Sequence, residues 1–97
     1  MIEDILNYFG IENQRIKAIE ELGELQQAIA KYIQGPYKEN RSNVAQEIAD
    51  VKIVLEQVEI GMGIKNEVEE FTKEKLKRTM ERIERGYYKV EVQDDTV

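Results

Sequence analysis

The residues able to do chemistry in this chain are carboxylates, and they come in two matched pairs. Glu21 and Glu24 stand three residues apart in Glu20-Glu21-Leu22-Gly23-Glu24, and Glu47 and Asp50 repeat the spacing in Glu47-Ile48-Ala49-Asp50. The chain has no cysteine and no histidine, which removes thiol chemistry, disulfides, imidazole acid–base catalysis and the usual zinc sites. Chemistry is left to carboxylates, Lys, Arg, Tyr and a bound metal. On an α-helix, residues three apart occupy adjoining positions one turn from each other, so two such helices side by side can aim four carboxylates at one point. Four anions crowded together repel, and a hard divalent cation relieves the repulsion. Magnesium favours carboxylate and water oxygens and leaves coordination positions for substrate phosphates, and manganese can substitute for it. Facing helices of a bundle are a recurring place to build such a site.

The sequence around these acids supplies the helices. One proline and six glycines punctuate stretches rich in Glu, Lys, Ile, Ala, Leu and Gln, a helix-forming composition, so the predicted fold class is all-α. A short first helix is expected over Ile2 to Tyr8, stopped near Gly10. A long second one runs from about Asn13 to Gln34 and ends at the Gly35-Pro36 pair. The third is expected to begin after Ser42 or Asn43, either of which can cap a first turn, and to continue to Gly61-Met62-Gly63. A fourth follows from near Ile64 to Gly86. The tail 87–97 alternates through Lys89-Val90-Glu91-Val92 and turns acidic at Asp94-Asp95, which reads as a short strand, an extended arm or a flexible tail.

Projected at about 100° per residue, the third helix carries Val44, Ile48, Val51, Leu55, Val58 and Met62 as one apolar stripe at heptad-like spacing. Glu47 falls inside that arc, between Val54 and Val58, and Asp50 lies at its margin. The second helix repeats the anomaly. Its apolar arc comprises Ile19, Leu22, Leu25, Ala28, Ile29, Tyr32 and Ile33; Glu21 points between Ala28 and Tyr32, and Glu24 sits at the edge. Glu20 projects to the opposite side with Lys17 and Lys31, where a solvated ion pair is the natural reading. Acids three apart also occur at Glu56/Glu59, Glu67/Glu70 and Glu81/Glu84, as expected by chance in so acidic a chain, but Glu56 and Glu59 project to the polar side. A carboxylate inside a core stripe is costly unless something compensates it.

The bulk numbers set the remaining limits. A chain of 97 residues is expected to form a single domain over 1–97, because so short a chain exposes too much surface per residue to build two stable cores. Burying apolar surface against a second copy is a common way past that limit, so a homodimer or homotetramer is expected. Fourteen Lys plus Arg against twenty Asp plus Glu leave a net charge of −6, which argues against nucleic acid as a partner. The acidic start and the lack of a long apolar run predict no membrane contact and a cytoplasmic location.

At the paired acids the sequence resembles the MazG-like all-α nucleoside triphosphate pyrophosphohydrolase superfamily. Its motif is two adjacent Glu, two residues and a Glu, then after a variable gap Glu, two residues and Asp, matched here by Glu20-Glu21-Leu22-Gly23-Glu24 and Glu47-Ile48-Ala49-Asp50. The match spans the two central helices. The resemblance implies a helical bundle completed by oligomerisation, in which Glu21, Glu24, Glu47 and Asp50 bind magnesium. It implies hydrolysis of a nucleoside triphosphate between the α and β phosphates, with Glu24 or Glu21 as the proton acceptor and Lys75 and Arg78 on the phosphates. Tyr32, Tyr37, Tyr87 and Tyr88 are candidates to stack a base, although aromatic residues at helical spacing more often pack in a core. Two alternatives stay open: a pyrophosphohydrolase acting on a phosphoribosyl-ATP-type nucleotide, and a non-catalytic helical oligomerisation module whose acids lie in solvent.

Overall fold

A computed structural model of the protein describes residues 1–88, and among these it contains four α-helices and no strand: α1 (Ile2–Phe9), α2 (Ile11–Gln34), α3 (Lys38–Met62) and α4 (Lys65–Glu84). The all-α expectation is met. Of the tail expected over 87–97 as a strand, arm or flexible segment, residues 89–97 lie outside the described residues, and Tyr87 and Tyr88 follow α4 outside any helix or strand. The chain falls into two compact units, the first spanning Met1–Lys65 and the second beginning at Asn66. No helix among the described residues is long and apolar enough to cross a membrane.

In the first unit, α1 and α2 are joined by a single residue. Gly10 adopts φ 86°, a conformation that glycine reaches without steric penalty. Its amide donates to the Leu6 carbonyl at 2.8 Å and its carbonyl accepts the Gln14 amide at 3.1 Å, so one helix closes and the next opens on the same residue. That is why α2 starts at Ile11, ahead of the Asn13 expected from sequence. Asn13 instead turns back, its side-chain amide donating to the Phe9 carbonyl at 2.7 Å.

The start of α3 corrects a second expectation. Neither Ser42 nor Asn43 caps it; the helix begins at Lys38, with extended Tyr37 as the residue before it. Pro36 fixes the exit from α2, and the Asn40 side chain donates to the Gly35 carbonyl at 2.8 Å, which ties the new helix to the end of the old one. Ser42 lies inside the helix, where its hydroxyl accepts from the Gln46 side chain at 3.4 Å.

All three helices of this unit pack on one another, with α2 against α3 as the main seam. On α2 the buried positions are Gln14, Ala18, Glu21 and Ala28, and on α3 they are Val51, Val54 and Gln57. These follow steps of three and four residues, the spacing that keeps one helix face turned to its partner. Leu6 of α1 completes the apolar core. Small Ala18 and Ala28 allow the helices to close, and each buried Val adds about 1.5–3 kcal/mol of apolar burial. The seam also contains an amide pair: Gln14 donates to Gln57 at 2.7 Å, and Gln57 is only 2% exposed. The bond satisfies polar groups that would otherwise be costly to bury.

The stripe read from the sequence of α3 is rotated relative to this seam. Val51 is buried and Val58 half-buried, but Ile48, Leu55 and Met62 remain exposed. On α2, Ile19 and Ile33 are 72% and 74% exposed. In the second unit, α4 buries none of its residues, and Val68, Phe71, Leu76, Met80 and Ile83 are open to solvent. After α4, Gly86 turns the chain at φ 69° and the Arg82 guanidinium lies 5.2 Å from the centre of the Tyr87 ring.

Two glycines test the packing in opposite directions. A Cβ added at Gly61 of α3 would lie 3.0 Å from Ile11 Cγ1 and 3.3 Å from Ile11 Cβ, too close for a residue held at the start of α2. A Cβ at Gly23 of α2 would meet nothing within 4 Å. Gly61→Ala should therefore lose about 1–3 kcal/mol to overpacking against a helix-propensity gain of about 1 kcal/mol. Gly23→Ala should gain about 0.5–1 kcal/mol. Urea denaturation of the two variants is expected to move the midpoint down for the first and up for the second.

Candidate metal centre

The seam that buries Val51 and Val54 buries acids as well. Glu21 follows Ala18 on the inner line of α2 and is 7% exposed, because the helical phase that turns Ala18 and Ala28 inward turns position 21 inward too. Glu47 lies one turn before Val51 on α3 and is half-buried, and Asp50 lies beside it at the exposed edge. One carboxylate oxygen from each of Glu21, Glu47 and Asp50 lies within 4.8 Å of the other two. Three of the four residues expected to share an ion are thus brought together.

Glu24, the fourth, is exposed and outside that group of three. It nonetheless acts on it. Burial pushes the Glu47 carboxyl above its ordinary range, and the negative charges of Glu24, Asp50 and Glu21 push it further in that order. Crowding of like charge and partial loss of water have the same sign here, since both disfavour the ionised acid.

Two oxygens at this site are buried without a hydrogen-bond partner: Oε2 of Glu21 and Oε2 of Glu47. Native proteins rarely leave a carboxylate oxygen in that condition. The other oxygen of Glu21 is engaged, its Oε1 accepting from the Lys17 ammonium at 3.2 Å, while Lys17 also approaches Glu20 Oε2 at 3.7 Å. Contact with Glu21 holds the Lys17 ammonium above its ordinary range. An all-oxygen donor set carrying two partnerless buried oxygens suits a hard divalent cation. In two of the three chance acid pairs one member sits in an ordinary surface ion pair, Glu56 with Lys65 at 3.3 Å and Glu81 with Arg85 at 3.7 Å.

A cleft of about 510 Å³ opens directly onto the acids. Glu20, Glu21, Asp50 and Lys17 line its charged side, and Ile5, Phe9, Ile16, Ile53 and Val54 line its apolar side, with Asn13, Gln14 and Gln57 as amides among them. Glu20, read from sequence as a solvated surface acid, therefore faces this cleft. None of the tyrosines considered for base stacking lines it; the aromatic residue present is Phe9 of α1. Lys75 and Arg78 are exposed on α4, three residues apart and so on one face of that helix.

Lys17, Gln14, Gln57 and Phe9 were not singled out as site residues from sequence. Gln14 was detectable in principle, because it stands four residues before Ala18 on the line that leads through Glu21 to Ala28. Phe9 was not, since its place depends on the turn at Gly10. Compared with protein-family models, curated proteins and solved structures, the chain matches none.

The raised Glu47 carboxyl has a consequence for stability. A carboxyl whose folded-state pKa lies above its unfolded value favours folding while protonated, and that contribution is lost as pH rises through the folded-state value. Metal-free protein should therefore lose stability from this group on going from acidic to neutral pH. Glu47→Gln, which keeps the shape without the charge, should raise the metal-free melting temperature at pH 7 and flatten its fall over that interval. Calorimetric melting in the presence of chelator at pH 4.5 and 7 measures both effects.

Proposed function

We propose that the protein is a magnesium-dependent hydrolase that cleaves a nucleoside triphosphate between the α and β phosphates, releasing the monophosphate and pyrophosphate. The observation that carries this reading is the set of three converging carboxylates, two of which carry a buried, partnerless oxygen, on Glu21 and on Glu47, beside a half-apolar cleft. The motif resemblance at Glu20-Glu21-Leu22-Gly23-Glu24 and Glu47-Ile48-Ala49-Asp50 supplies the reaction class.

Glu21, Glu47 and Asp50 would hold the metal, with Glu24 joining them from the exposed edge. When bound, magnesium supplies positive charge to the phosphate oxygens and acidifies a water molecule. Glu24 or Glu21 would accept the proton of the attacking water. The cleft excludes water from one side of the reacting phosphate and accommodates the less polar part of the nucleotide along Phe9, Ile16 and Ile53. Lys75 and Arg78 are assigned to the phosphates on the resemblance.

The proposal includes a homodimer or homotetramer. It is supported by the exposed apolar side chains of Ile19, Ile33, Ile48, Leu55 and Met62 on α2 and α3, which a second copy could cover. It also includes a cytoplasmic location and no role for nucleic acid.

Pyrophosphate release from a panel of nucleoside triphosphates and phosphoribosyl-ATP tests the reading. Turnover should require magnesium or manganese and stop with chelator. Glu21→Gln and Asp50→Asn should each lower kcat/KM by about a hundred-fold or more, with helix content retained. Undiminished turnover in both variants, or turnover indifferent to chelator, would remove the mechanism.

A further inference from the structure

Lys17 stands one turn before Glu21 on α2, and its ammonium lies 3.2 Å from Glu21 Oε1. The two partners differ in their surroundings: the Lys17 side chain is 51% exposed, whereas the Glu21 side chain is 9% exposed. The pair is therefore more than a solvated bridge, because one member is an acid withdrawn from water and set beside Glu47 and Asp50. Among the described residues, Lys17 is the cation that touches this buried acid. Its contact uses Oε1, while Oε2 stays buried and without a partner, which is the second mark of a cation site at this position.

A cation held against a carboxylate has two effects. It offsets the repulsion among the acids when no metal is present, and it opposes a divalent ion arriving at the same carboxylate, since charges of like sign a few ångströms apart repel strongly where water is partly excluded. We infer that Lys17 is a tethered counter-ion that stands in for the metal at Glu21 in the metal-free protein and weakens metal binding by competing for that carboxylate. The inference rests on the metal-binding part of the proposed function. Because the Lys17 side chain is half-exposed and lines the cleft, it has room to swing away from Glu21 once a metal is bound. The device offsets repulsion in the acidic seam without metal and lowers the affinity with which a metal is taken up.

The test is calorimetric titration of the full chain with magnesium alone, without nucleotide, together with melting in chelator. Lys17→Met, and Lys17→Gln as a second neutral variant, should bind magnesium roughly ten-fold more tightly than wild type. Lys17→Arg, which keeps the charge, should stay close to wild type. Both neutral variants should melt at lower temperature than wild type in chelator, so that saturating magnesium raises their midpoint by more. Magnesium binding that is equal or weaker in both neutral variants, with clear binding by wild type, overturns the role of Lys17 and leaves the metal site standing. No uptake by any of the four proteins removes the metal site itself, and the inference with it.

Discussion

A carboxylate drawn into the seam between two helices is the constraint on which the rest of this structure turns. Glu21 occupies a position that the phase of α2 dedicates to packing, between Ala18 and Ala28, and only one of its two oxygens has a partner. An isolated ionised carboxylate in such a place is costly unless the surroundings supply positive charge. The structure gathers the opposite of relief from α3, where Glu47 and Asp50 bring further negative charge within a few ångströms. Lys17 offsets part of it. What remains is a demand for cationic charge at one point, written into the same interface that stabilises the fold.

The seam meets that demand at one end and a different one at the other. Toward Gln14 and Gln57 the polar groups are neutral and bond to each other through a short hydrogen bond, so that end creates no demand for charge. Toward Glu21 the polar groups are alike in charge and cannot satisfy each other. The cleft spans both ends, with apolar residues from α1, α2 and α3 facing the acids across it. The short helix α1 contributes through the turn at Gly10, which returns the chain so that Ile5 and Phe9 wall the cleft beside α2.

Packing within the first unit uses only part of the apolar surface that the helices carry. The core comprises Leu6, Ala18, Ala28, Val51 and Val54, two of them alanines, and this is a small store of hydrophobic stabilisation for a unit of that length. Larger side chains on α2 and α3 point elsewhere, as do those of α4 considered by itself. The heptad-like series Ile48, Leu55 and Met62 is thus a feature of the sequence that stays exposed in the structure. Two helix faces compete for the description "apolar stripe" on α3, and periodicity alone does not say which neighbour each face meets.

Helix identity and the chemistry-bearing residues were legible without coordinates, because both depend on local spacing. A three- or four-residue period sets which side chains share a face, so Glu21 and Glu47 stood out among the acids as soon as their neighbours were projected around the helix axis. The absence of cysteine and histidine left oxygen ligands as the available metal-binding chemistry. Tertiary structure decided what depends on contact between segments distant in the chain. It put Glu21 within reach of Glu47 and Asp50 and left Glu24 at the rim. It took Val51 from the heptad stripe and joined it to Val54 and Gln57 in the seam, opened the cleft behind Phe9, and began α3 at Lys38 through the turn at Pro36 and the Asn40 bond. Spacing along one helix is set by backbone geometry, whereas the meeting of two helices depends on which small residues let them approach, and that is a property of the pair.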